Sequence, residues 1–519
     1  MGGDGMRSRL IAGFWLASVA FSGWGQPAGD GSTPLHWAVY RDELPKAEAL
    51  LRAGADAKAA TGYGVTPLSL ACTNGNAAMI ELLLTAGADP NVALPGGETP
   101  LMTAARTGNP DAVLALVNHG ANVNAQESWR GQTALMWAAA EGHAAAVKVL
   151  LEHGADMHAR SQGPPARGGG RGNPSAAGAT PEESKTSVAP RAARPPTTDF
   201  TPFLFAVRGG HIDTVKVLLA AGANPNETLG DGTSALVLAV TNARYELGAH
   251  LLDKGANPNA EAQGWTALHQ VAWTRRPNIH KTPAAVPSGN MDSLTFVKVL
   301  IAHGANPNAR ETKEPHDGNL GKLKRIGATP YLLAAKSADT ELMRCLMVNG
   351  ADTTLMTAEK VTPLEAAAGV GVYRVSESPG SNEEALEAVK LAYELGSRDV
   401  NWVDDNGNTA MHGAALRGAN PIVQFLFDKG AKLDAVNKIG WTPLTIAEGV
   451  FYPDVFKTEA QTEALLLKLG ATRRTVPEEV RYAGMDKDGR ETTVGGAGAD
   501  PAPAARQPVD ATKSETVKN

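Results

Sequence analysis

The stretch Thr66-Pro67-Leu68-Ser69-Leu70-Ala71 leads, past Asn74-Gly75-Asn76, into Ile80-Glu81-Leu82-Leu83-Leu84 and then Ala86-Gly87-Ala88-Asp89-Pro90-Asn91. Thirty-three residues after Thr66, Thr99-Pro100-Leu101 opens the same series, which closes on Asn118-His119-Gly120-Ala121-Asn122-Val123-Asn124. The opening recurs at Thr33-Pro34-Leu35-His36, Thr133-Ala134-Leu135, Thr201-Pro202-Phe203, Ser234-Ala235-Leu236, Thr266-Ala267-Leu268-His269, Thr329-Pro330-Tyr331, Thr362-Pro363-Leu364, Thr409-Ala410-Met411-His412 and Thr442-Pro443-Leu444, which makes eleven units. A fixed period of this length is the mark of a stacked array.

Each part of the unit has a physical reason. A Thr hydroxyl satisfies an orphan amide at a helix start, and Pro at the first helical position gives up an amide that has no partner there. Thr-Pro therefore opens a short helix. Gly ends it, because a positive φ costs glycine nothing. A second helix carries apolar runs such as Val147, Val149, Leu150, Leu151 or Val215, Val217, Leu218, Leu219, and closes on Gly-Ala. One such pair buries too little apolar surface to offset its ordering entropy, so it must stack on its neighbours.

The composition agrees. Length alone would suggest three or four ordinary domains, but a stack grows by adding units and needs no large core. That accounts for only 5% aromatic residues among 519, and the recurring turns account for 56 Gly and 33 Pro. A net charge of −6, from 48 Lys+Arg and 54 Asp+Glu, supplies no general basic field for nucleic acid. Two cysteines make neither a disulfide-rich module nor a zinc site by themselves.

These residues resemble the ankyrin repeat family, with its T-P-L-H-x-A and L-L-x-x-G-A-x-x-N signatures. The resemblance covers about residues 31–472 and implies an all-α fold: an ankyrin-repeat α-solenoid of about eleven helix-pair units with short β-hairpin fingers. Residues 26–160 hold repeats 1–4 and 200–472 hold repeats 5–11. Residues 161–199, with Gly163-Pro164-Pro165 and Arg194-Pro195-Pro196, read as a flexible linker between the two blocks. Insertions are expected near 277–293 and 371–384, each between the helices of one unit, and at 311–326, in a finger. Residues 473–519 lose the pattern after a short helix around Pro477–Tyr482 and read as a disordered tail.

At the N-terminus Arg7 and Arg9 precede an apolar run from Leu10 to Trp24, too short to span a bilayer, with small residues after it. Residues 1–25 are read as a cleaved signal peptide of a bacterial protein, which predicts a periplasmic or secreted chain with no membrane segment in its mature form.

Catalytic and metal signatures are lacking: no H-E-x-x-H, no G-x-S-x-G and no G-x-x-x-x-G-K-[ST] occur. No enzyme activity, cofactor or metal is expected. Asp486-Lys487-Asp488-Gly489 falls short of a calcium loop, and Gly168-Gly169-Gly170-Arg171-Gly172 reads as linker, not as an RNA-binding patch. His36, His269 and His412 stand where the family hydrogen-bonds between repeats, and His119, His153 and His303 close second helices. Cys72 and Cys345, six units apart, are expected buried and unpaired. Trp37 and Trp137 are expected to face the core, and Trp265 and Trp441 to pack at finger bases.

In the family, the ends of first helices and the finger tips line a concave face that binds other proteins. The matching positions seven and eight residues after each turn Thr include Tyr40, Arg41, Asn74, Arg106, Glu141, Arg208, Trp273, Lys336 and Arg417, and the finger positions are Tyr63, Trp129, Arg130, Lys324 and Arg325. Five basic residues to one acidic at the helix ends predict a partner with an acidic patch. The expected protein is thus a monomeric exported scaffold that binds a protein partner through Tyr40, Arg41, Tyr63, Arg106, Trp129, Arg130, Arg208, Trp273, Lys336 and Arg417. The alternatives are a secreted effector acting on host proteins and the targeting subunit of an enzyme complex.

Overall fold

The computed structural model describes residues 29–162, 199–277, 285–314, 323–372, 379–451 and 456–482. The stretch read as a signal peptide, and most of the stretches read as a linker and a disordered tail, lie outside the described residues. The chain divides into a first unit that ends at Asp156 and a second that begins at Met157. Four helix pairs make up the first: Pro34–Tyr40 with Leu44–Arg52, Pro67–Asn74 with Ala77–Thr85, Pro100–Thr107 with Pro110–Asn118, and Ala134–Glu141 with Ala144–Glu152. Seven more, from Pro202–Gly209 with Ile212–Ala220 to Pro443–Glu448 with Ala460–Leu469, make up the second, and a last short helix spans Glu478–Arg481.

Every first helix starts at a Thr or Ser. Thr99 accepts from the Met102 amide, Thr201 from Leu204 and Ser234 from Val237, with Pro following at the first helical position in most units. Gly75 and Gly418 end their helices in the left-handed conformation, at φ 69° and 67°. Within a unit, first helices pack on first helices and second on second. The core between them is a repeating layer of Leu, Val, Met and Ala, such as Leu68, Ile80 and Leu83 or Leu135, Val147 and Leu150.

The fingers are turns, not strands. Thr61 N donates to Val65 O at 2.9 Å and Leu94 N to Glu98 O at 2.9 Å, one bond closing each loop. Among the described residues the only paired strands are Val450–Phe451 and Phe456–Lys457, between the helices of the eleventh pair. Fingers instead bond to their neighbours: Ser128 N to Gly96 O at 2.9 Å, Ala358 N to Ile326 O at 2.8 Å and Lys438 N to Asn406 O at 2.9 Å.

Two side-chain ladders tie successive units. His36, His269 and His412 each accept their own Thr amide at Nδ1 and set Nε2 at 3.1 Å from the carbonyl of Val65, Ala328 or Trp441, just ahead of the next turn Thr. The other ladder is the asparagine after Gly-Ala. Asn259 donates from Nδ2 to Gly304 O at 2.8 Å and accepts from Asn306 N at 2.7 Å, and Asn91, Asn124, Asn226, Asn308 and Asn401 repeat the pattern. Such bonds meet backbone groups that no helix or sheet satisfies.

Cys72 is buried, and burial pushes its thiol well above the ordinary range; Cys345 is only half-buried, at 4.0 Å from Leu294 O, and both are unpaired. Ser161 and Phe200 exchange two hydrogen bonds of 2.9 Å, and Arg160 pairs with Asp199 at 3.0 Å. The 161–199 segment therefore leaves and re-enters the fold at one point.

Candidate functional site

In the first unit several of the expected positions are exposed. Tyr40, Tyr63 and Trp129 expose 56%, 76% and 61% of their area, unlike almost every other large apolar side chain in that unit. Tyr40 ends the first helix and Tyr63 and Trp129 sit on fingers. Glu127, itself buried, shapes the third finger: its carboxylate accepts the amides of Arg130 and Gln132 at 2.8 and 3.0 Å and that of Trp129 at 2.5 Å. That cradle fixes the backbone that holds the Trp129 ring out in solvent.

Arginines lie on the indoles. Arg41 stands 5.8 Å from the Trp37 centroid, Arg106 5.1 Å from Trp137, and Arg130 4.4 Å from Trp129. Trp37 and Trp137 are half-buried rather than core residues, because each offers one ring face to the arginine of its own or the preceding first helix. Stacking of this kind is worth about 0.5–1 kcal/mol at exposed sites. Arg106 also has Glu98 at 3.7 Å, a long surface pair of little weight.

In the second unit the expected positions diverge. Arg208 is exposed and stacks on Phe200 and Phe205, at 4.7 and 5.0 Å. Trp273 is half-buried under Arg325, whose guanidinium lies 3.4 Å from the ring centroid and grips Glu311 through Nε at 3.0 Å and Nη2 at 2.6 Å. Arg325 and Glu311 expose 4% and 1%, so Arg325 is not a finger-tip contact. Burial raises the Glu311 carboxyl, opposing the pull of Arg325. Lys336 is half-buried and adds positive charge near that carboxyl, and Lys324 is also half-buried.

Arg417 corrects the sequence reading outright: it is buried to 1% exposure. Nη2 donates to Gly380 O at 2.8 Å and Ser381 O at 3.3 Å, and Nε to Asn382 Oδ1 at 3.1 Å. The insertion after Gly369 has folded over the helix end that bears it. The three insertions meet: Arg276 pairs with Glu384 at 3.0 Å, and a side chain at Gly371, φ +79°, would run into Leu323. They consume the first-helix face of pairs seven to ten.

Two residues unremarked in the sequence complete this region. Arg275 holds Asp339 through two bonds of 2.6 and 3.0 Å while donating to Ser293 Oγ at 2.6 Å, and Asp339, fully buried, caps the helix Thr340–Val348. Among the described residues no group of three or more His, Cys, Asp or Glu is placed to hold a metal, and no helix is long and apolar enough to cross a membrane.

Comparison with known families decides the identity of the repeat. Family models described as ankyrin repeats match residues 14–93, 91–161, 201–282 and 391–447, and a single ankyrin repeat matches 263–312. The chain belongs to the ankyrin repeat family. Similar ankyrin proteins include human ankyrin repeat and SOCS box protein 16, 31% identical over 49% of this chain and 48% of that one. The chicken nuclear factor NF-kappa-B p105 subunit is 32% identical over 34% and 16%, and the phosphocholine transferase AnkX of Legionella pneumophila is 23% identical over 41% and 21%. The chain spans about half the length, or less, of these relatives. A crystal structure of the human ASB11 ankyrin repeat domain is 22% identical, covers 53% of this chain and all of that one, and superposes with a TM-score of 0.38. Ankyrin arrays are in general scaffolds for protein–protein interaction, and this chain shares that framework.

Proposed function

We propose that this ankyrin chain is a monomeric scaffold, exported by a bacterium to its periplasm or beyond, that captures an acidic segment of another protein on the first-helix face of its first unit. The observation that carries the reading is the row of exposed aromatic rings and indole-stacked arginines, Tyr40, Arg41, Tyr63, Arg106, Trp129 and Arg130. Rigid aromatic anchors beside forked cations are the side chains that dominate interface energetics, and a flat guanidinium matches a carboxylate in two bonds. The corresponding face of pairs seven to ten is spent on the chain's own insertions, which favours the first unit; Arg208, exposed on the second unit, is a separate candidate contact. Export rests on Arg7, Arg9 and the run Leu10–Trp24.

Crosslinking and affinity purification from the native compartment identifies the partner; the triple reversal Arg41→Glu, Arg106→Glu, Arg130→Glu then removes capture at least tenfold while circular dichroism stays unchanged. Equal capture by a folded triple variant overturns the assignment. Cell fractionation tests export, which is overturned if the chain is recovered from the cytoplasm with residues 1–25 attached.

A further inference from the structure

One buried acid breaks the rule that the repeat sets for its neighbours. At the third position after the turn Thr, the first, seventh and tenth pairs carry His36, His269 and His412, each buried with its ring set against the carbonyl ahead of the next turn Thr. The ninth pair carries Glu365 there, in the helix Pro363–Ala368, and it is just as buried, at 1% exposure.

One of its oxygens is spoken for. Glu365 Oε2 accepts from Thr362 N at 2.8 Å and Thr362 Oγ1 at 2.9 Å, while Thr362 Oγ1 accepts from Glu365 N at 3.1 Å. Its other oxygen, Oε1, is buried and meets no hydrogen-bond partner. A carboxylate oxygen so placed has lost its water and gained nothing, whereas a carboxylic acid places one proton on that oxygen and removes most of the penalty.

Among the described residues no cation is paired with the Glu365 carboxyl. Asp404 and Asp399 both act on Glu365 with the same sign of charge, and Asp404 is itself buried and bound to Asn406 and Asn408 amides at 2.8 and 2.7 Å. Three elements pack on the Pro363–Ala368 helix. From Asn382–Glu394 the buried residues are Ala385, Ala388, Val389, Leu391 and Ala392, none of them titratable. On Ala410–Arg417, Arg417 is committed to Gly380, Ser381 and Asn382, and burial holds His412 neutral. On Pro330–Lys336 the buried residues are Pro330, Tyr331, Leu332, Leu333, Ala334 and Ala335, and Lys336 adds its charge near Glu311. Two like charges and no partner leave protonation as the low-energy state.

We propose that Glu365 is held as the neutral carboxylic acid, so that the packing of the ninth helix pair against its neighbours depends on a bound proton at a position where three other pairs carry a histidine. Burial, the first cause, keeps the carboxyl well above its ordinary 4.5. The unfolded chain releases this proton near 4.5 and the folded one only at the raised value. The stabilisation is thus complete below 4.5 and is lost progressively as pH rises toward the folded value. The packing there is a built-in pH-sensitive joint whose loosening is alkaline.

The test compares the full chain with Glu365→Gln and Glu365→His by urea unfolding from pH 5 to pH 8, alongside the infrared carboxylic-acid C=O stretch. Relative to Glu365→Gln, the folded-to-unfolded ratio of the wild type should fall by up to about tenfold per pH unit above 4.5, and the acid C=O band at neutral pH should lose intensity in both variants. Parallel pH curves for wild type and Glu365→Gln overturn the proposal. Should the glutamine variant fail to fold, Glu365→His, which installs the residue of those three pairs, carries the comparison, and an unchanged acid band in it overturns the proposal equally.

Discussion

Arg417→Ala separates a structural arginine from a binding one. The substitution removes three hydrogen bonds from a charged donor, to Gly380 O, Ser381 O and Asn382 Oδ1. Each acceptor left dry costs about 1–3 kcal/mol, and the lost methylenes cost about 0.8 kcal/mol apiece. Against this, the guanidinium no longer has to be stripped of water, and burial without a carboxylate partner already presses on it, lowering its pKa. The net is a loss of about 3 kcal/mol in the second unit. Arg417→Lys keeps the charge but not the fork and should lose about 2 kcal/mol. Arg417→Glu places a buried carboxylate against carbonyls and near Glu384, and should unfold this region. Urea titration of the full chain, followed by far-UV circular dichroism, reads these as midpoint shifts of about 1–2 M for slopes of about 1–3 kcal/mol per molar. The reasoning fails if Arg417→Ala stays within about 0.5 kcal/mol of wild type. It fails equally if Arg417→Glu folds normally and loses only partner capture.

Other expectations follow from the same geometry. Trp129→Ala should leave stability within about 0.5 kcal/mol, the ordinary range for an exposed site, yet weaken capture of the partner about tenfold or more; calorimetry and pull-down read the two effects separately. Trp273→Ala should behave in the opposite way, losing about 3 kcal/mol because the ring supports the buried Arg325–Glu311 pair, with capture by the first unit unchanged. Asn259→Ala breaks both bonds of one ladder rung and should cost about 1–2 kcal/mol in urea unfolding, with Asn259→Asp in between because it keeps only the acceptor. Buried His412 and His269 are pushed down to about 4 and about 3 from 6.5, so the unfolded chain takes up protons that the folded one refuses. Stability should therefore fall as pH drops below 6.5, by about 2 kcal/mol per histidine at pH 5, and His412→Gln should remove its share of that slope.

The limits of sequence reading show best in residues that share a register and not a fate. Arg106 and Arg417 fall seven and eight residues after their turn Thr, at the end of a first helix. The pattern alone gives them one environment. Arg106 finds an indole and open solvent, because Asn109 follows at once and the next helix begins. Arg417 meets backbone contributed by residues 380–382 of the preceding pair, brought there by an insertion whose course no local spacing encodes. Trp273 and Arg325 were legible as a helix end and a finger, but their stacking depends on how a sixteen-residue departure from the period folds back, a long-range outcome. What the period does encode is whatever each unit repeats against an identical neighbour: the Thr caps, the Thr-to-His bond to the next carbonyl, the asparagine ladder and the apolar layers. Glu365 stood in plain view at the histidine position, and the signal that could have found it was the mismatch itself. A charged residue at a seam position that other units fill with His, Ser, Met, Leu, Val or Thr must either find a partner or give up its charge, and only the packed structure shows that no partner is there.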